Sequence, residues 1–171
     1  DDSGGSVSAA GDVNGDGIDD IMDEAPLADP DSLGAAGSSY VVFGKASGFA
    51  SSIDLSSLNG ATGFRLDGVT ASDWSGISVS AAGDVNGDGF DDIIVGAPLA
   101  DPDSLSAAGS SYVVFGKASG SASSIALSSL NGATGFRLDG VTASDSFGIS
   151  VSAAWAVHGD GFDDAIVGSF T

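Results

Sequence analysis

An all-β chain built by repetition is what this sequence predicts, on three observations. The segment beginning Asp12-Val13-Asn14-Gly15-Asp16-Gly17 returns 72 residues later as Asp84-Val85-Asn86-Gly87-Asp88-Gly89, and in altered form another 72 later as Ala156-Val157-His158-Gly159-Asp160-Gly161. A fixed period of this size marks a repeat architecture. Within each period, short β-branched and aromatic runs alternate with clusters of Gly, Ser, Asp and Pro, the pattern of strands and turns. Finally, the chain carries 27 glycines, and of its 24 acidic residues all but Glu24 are Asp, a turn residue rather than a helix-surface one.

The middle period shows the elements in order. Ile77-Ser78-Val79-Ser80-Ala81 alternates apolar and small polar side chains, the mark of a half-buried strand. Asp92-Ile93-Ile94-Val95 and Ser111-Tyr112-Val113-Val114-Phe115 are continuous apolar runs, expected to be buried on both faces. Phe136-Arg137-Leu138-Asp139 returns to alternation, with Arg137, like its counterpart Arg65, pointing outward to a carboxylate. Between the second and third strands lies the acidic loop around Asp101 and Asp103, read as a solvated loop. The Ser-, Gly- and Ala-rich stretch 117–135, between the third and fourth, is expected to pack only lightly.

Between the first two strands stands the loop that carries chemistry. Asp84, Asn86 and Asp88 lie two apart, so a tight loop brings their oxygens towards one point, and Gly89 permits the positive φ that the turn needs. The Phe90 carbonyl and the Asp92 carboxylate complete a hard-oxygen set suited to Ca²⁺. An EF-hand would close with Glu at position twelve and continue as a helix. Here position twelve is Val95, inside a β-branched run, so the loop joins two strands. A polar hairpin turn without metal uses the same Asn-Gly and Asp-Gly signals and is the competing reading. Repetition favours the metal. Copy one keeps every candidate ligand, Asp12, Asn14, Asp16, the Ile18 carbonyl and Asp20. Copy three has Ala156 and His158 at the first and third positions and retains Asp160, the Phe162 carbonyl and Asp164, so a weak or empty third site is expected.

Composition bounds the rest. The 171 residues are 42% hydrophobic, enough to bury a core, and carry a net charge of −20 with four basic residues. That field repels nucleic acid and anionic lipid, so no nucleic-acid partner is expected. There is no cysteine, and no apolar run approaches the ~20 residues of a membrane-spanning helix, so no membrane insertion is expected. The start Asp1-Asp2-Ser3 is not a signal peptide, and the chain reads as a mature or excised segment of a soluble protein. One histidine, no cysteine and no nucleophile elbow argue against an enzyme.

Together, Phe147-Gly148 ahead of a first strand, the Asp-x-Asn-x-Asp-Gly-x-x-Asp loop and Ile94-Val95-Gly96-Ala97-Pro98 after it resemble the FG-GAP repeat of integrin α-chain β-propellers and their bacterial relatives. The resemblance implies four-stranded propeller blades with Ca²⁺ in the hairpin between the first two strands. It divides the chain into a first blade at 1–72, a second at 73–144 and the first two strands of a degraded third at 145–171, about two and a half blades of an incomplete β-propeller. Propellers close with four to eight blades. These residues cannot close a ring alone, so the expected partners are further copies of the chain or further repeats, together with a protein or glycan ligand. The expected function is a non-catalytic, Ca²⁺-stabilised extracellular adhesion or scaffold module. The alternatives are a self-assembling surface or matrix protein and the propeller domain of a secreted enzyme.

Overall fold

A computed structural model describes residues 3–118, 122–157 and 159–170. The described residues are all-β, in a partial, propeller-like arrangement of separate sheets with no closed barrel among them. Among the described residues there is no α-helix, only short 3-10 turns such as Pro30–Ser32 and Pro102–Ser104.

The first sheet runs β1 (Val7–Gly11), β2 (Asp20–Ala25), β3 (Ser38–Val42) and β4 (Gly63–Asp67) as an antiparallel meander. The second repeats it with β5 (Ser78–Gly83), β6 (Asp92–Ala97), β7 (Ser110–Val114) and, after β8 (Ser124–Ala126), β9 (Gly135–Asp139). The third sheet is the antiparallel hairpin β10 (Ser150–Ala153) and β11 (Ala165–Gly168). The strand expected over 77–81 extends to Gly83, because the register shifts between Ala81 and Gly83 in a bulge that turns the chain into its loop. Gly11 and Gly83 occupy this place with positive φ, which L side chains rarely adopt.

The sheets stack face to face, with β5 packed against both β1 and β10. Alternate side chains of β6 serve two cores. Ile93 and Val95 join Met22, Val41, Phe64 and Leu66 of the first sheet, while Ile94 joins Val113 and packs against Val151 and Val167 of the third. All six residues of β6 and all five of β7 are buried, as continuous apolar strands between two sheets must be.

The stretch 117–135 departs from its expectation of light packing. It supplies β8, which leaves its own sheet and pairs in parallel with the outer edge of β4, setting Leu66 opposite Ile125. Leu127, just after it, is buried in the core between the first two sheets. The apolar residues here are too few and too widely spaced by Ser and Ala for periodicity to reveal them.

Candidate metal centre

Each loop is wound tightly by its own side chains. In the first, Asp12 accepts the N–H groups of Asp16 at 3.0 Å and Gly17 at 2.8 Å, Asn14 accepts that of Asp16 at 2.8 Å, and Asp16 accepts that of Ile18 at 3.0 Å. The second repeats the pattern: Asp84 accepts from Gly87, Asp88 and Gly89, Asn86 from Asp88, and Asp88 from Phe90. These are the Asx turns that short polar side chains make with residues just ahead of them.

The closing carboxylates lie deeper. Asp20 and Asp92 are fully buried. Asp92 accepts the N–H groups of Val85 at 3.0 Å and Gly116 at 2.9 Å, tying loop, strand β6 and the end of β7 together, and Asp20 does the same with Val13 and Gly44. Burial pushes Asp20 up to about 6 and Asp92 up to about 7 against the pull of those N–H bonds, and the neighbouring loop carboxylates push the same way.

The structure therefore brings the candidate side chains Asp12, Asn14, Asp16 and Asp20 into one loop, and Asp84, Asn86, Asp88 and Asp92 into its copy. Their oxygens are turned onto backbone N–H groups, and no cluster of three or more His, Cys, Asp or Glu side chains is drawn together among the described residues. The donor chemistry nonetheless fits a hard cation: the candidate side chains offer oxygen alone, each carboxylate oxygen has lone-pair capacity beyond one N–H bond, and the closing carboxylate sits in a desolvated, like-charged setting.

The third loop is organised differently. Asp160 accepts from Phe162 and Asp164 from Val157, but where Asp12 and Asp84 cross-brace their loops a backbone bond from Gly159 to the Ala156 carbonyl stands instead. His158 lies outside the described residues.

In the second and third loops, the first of the paired aspartates ending the loop has a role that sequence reasoning missed. Asp91 accepts the N–H of Asp12 at 2.8 Å, and its own N–H donates to the Asp12 carbonyl at 3.2 Å. Asp163 makes the same pair of bonds with Asp84, both at 3.1 Å. The first loop is thereby clamped by the second, and the second by the third. The Phe90 ring covers Gly15 and the Phe162 ring covers Gly87 so closely that a Cβ at either glycine would collide with it. The signal is the run of doublets Asp19-Asp20, Asp91-Asp92 and Asp163-Asp164, whose first members the ligand spacing leaves without a role.

The two arginines behave as expected: Arg65 pairs with Asp67 at 2.5 Å and Arg137 with Asp139 at 2.7 Å, two residues along the same strand.

Strand, loop and strand in this order define a class of module, and residues 75–114, which include β5 to β7, match the family model described as the FG-GAP repeat. The chain is also similar to integrin alpha-PS2 of Drosophila melanogaster, at 29% identity over 167 residues, which is 95% of this chain and 11% of that protein. It thus spans about a ninth of that relative's length. No helix among the described residues is long and apolar enough to cross a membrane.

Proposed function

We propose that the chain is a non-catalytic interaction or adhesion module of an extracellular or cell-surface protein, held rigid by Ca²⁺ in its first two loops. The observation that carries this reading is the position of those loops. Each bears a full oxygen set and is clamped to the next sheet through Asp91 or Asp163, so ordering a loop orders a junction between sheets. Asp12, Asn14, Asp16, Asp20 and the Ile18 carbonyl would hold one ion, and Asp84, Asn86, Asp88, Asp92 and the Phe90 carbonyl the other. The ion would supply positive charge among carboxylates that repel one another. Asp160, Phe162 and Asp164 would form at most a weak third site. The similarity to an integrin α chain and the match to the FG-GAP repeat support a binding rather than an enzymatic role. Extracellular calcium is plentiful enough to fill sites of modest affinity. Calorimetric titration with CaCl₂ is expected to show two sites. Three equivalent sites, or none, would overturn the assignment.

A second reading, self-assembly as a surface or matrix protein, is favoured by the exposed apolar side chains of the outer sheets and their loops: Val7 and Ile21 on the first, and Ile166 on the third with Val157 in its loop and Phe170 just after it. The partners would be further copies of the chain or further repeats. Sedimentation across the micromolar range tests it, and a monomer throughout would sink it.

A further inference from the structure

The parallel pairing of β8 on β4 shows what the outer edge of such a sheet takes. Arg65, Leu66 and Asp67 lie opposite Ser124, Ile125 and Ala126, and the Arg65 N–H donates to the Ser123 carbonyl at 3.0 Å. The covered strand, Gly-Phe-Arg-Leu-Asp, is repeated letter for letter as β9. The two strands differ in what lies on them. Phe64 and Leu66 are 5% and 1% exposed, whereas Phe136 and Leu138 are 38% and 37% exposed. Among the described residues β9 is the last strand of its sheet and nothing pairs with its outer side.

The complement to that edge exists in the same chain. One period before β8 stands Ser51-Ser52-Ile53-Asp54-Leu55, the counterpart of Ser123-Ser124-Ile125-Ala126-Leu127. It belongs to no strand, and every residue from 45 to 54 is exposed. Ten residues of extended chain reach about 30 Å, enough for an arm to leave its own sheet.

We propose that the outer edge of β9 is a docking edge for residues 51–55 of a second copy of this chain, with Ser52, Ile53 and Asp54 opposite Arg137, Leu138 and Asp139. This rests on the self-assembly reading and gives it a specific contact. The arm adds one parallel strand through main-chain bonds, and Ile53 supplies apolar contact to the exposed face that Phe136 and Leu138 share. Reciprocal exchange, each copy lending its arm to the other, closes the assembly as a pair. Stacking a further loop on the third is disfavoured by Trp155, which stands where Gly11 and Gly83 leave room for the clamping aspartate of the next loop. One residue in the arm resists docking: Asp54 replaces Ala126 and falls beside Asp139, although Arg137 already engages that carboxylate.

Because the chain has no cysteine, a single thiol can be placed without background. An Ile53→Cys chain mixed with a Leu138→Cys chain under mild oxidation is expected to produce the mixed disulfide as the main product. Random pairing, with the two like-with-like products together matching the mixed one, would overturn the arm. Sedimentation supplies a second readout. Ile53→Pro removes a main-chain donor from a segment that forms no ladder in the free chain, and should weaken association about tenfold with the circular dichroism of the fold unchanged. Asp54→Ala, which turns the arm into a copy of β8, should strengthen it. Association that neither substitution alters would overturn the arm while leaving self-assembly standing, whereas a wild-type monomer at all concentrations would overturn both.

Discussion

At the scale of single residues, Glu24 is the strongest departure from the repeat. It stands where the second copy has Gly96, and is 1% exposed at the seam between the first two sheets. It accepts bonds from the Ser6 hydroxyl and the Val79 N–H, while its Oε1 has no partner. Burial pushes its carboxyl from an ordinary 4.5 up to about 7, with Asp23 adding to the rise. The folded state therefore prefers the proton: the stability this group contributes is fully present below about pH 4.5 and is lost as pH rises through about 7. Glu24→Gln should stabilise the chain at pH 8 by about 1–3 kcal/mol and flatten its pH dependence between 5 and 8, read by urea unfolding. The loop carboxylates make a second residue-scale case. With Ca²⁺ at a hundredfold excess over Kd, Asp88→Ala should cost up to about 2.7 kcal/mol through the lost site. Asp160→Ala, in a loop with no carboxylate at Ala156, should cost much less. Equal losses in thermal unfolding would show the third loop to be an occupied site.

At the scale of elements, one repeat position meets two environments. Ile94 in β6 is fully buried between two sheets, whereas its counterpart Ile166 in β11 is 59% exposed. Ile94→Ala should cost about 2–5 kcal/mol and Ile166→Ala no more than about 0.5 kcal/mol, measured by denaturant unfolding. Met22, the same position in β2, is buried like Ile94, so burial follows the neighbouring sheet and not the local sequence. The loop-to-loop clamp works at this scale too. Asp91→Ala removes a charged acceptor from the Asp12 N–H and should cost about 1.5–3 kcal/mol with or without Ca²⁺. Asp19→Ala is the control, since among the described residues no loop N–H donates to that carboxylate, and in this chain it should be nearly silent. Matching losses at 19 and 91 would mean that the clamp contributes nothing to the junction.

At the scale of the whole molecule, a net charge of −20 opposes both compaction and association. Chelation of Ca²⁺ should lower the melting temperature, because a ligand that binds only the folded chain stabilises it by mass action. Added monovalent salt should recover part of the loss by screening the carboxylates. A melting temperature indifferent to chelator would remove calcium from the account of stability.

The period of 72, the all-β class, the four strands of the middle repeat and the placing of Asp12, Asn14 and Asp16 in a tight turn between two strands were legible in the sequence. Strand alternation, turn chemistry and loop spacing are local and survive without knowledge of the fold. The third loop's altered build was legible too, because Ala156 cannot supply a carboxylate. Tertiary structure decided the remainder. Asp91 meets the Asp12 backbone across 79 residues, and Ile125 lies on Leu66 in another sheet. Glu24 is buried only because β5 comes to lie against its strand. These partners are set by how sheets stack, and stacking depends on surfaces formed by many strands together, which no window of sequence contains.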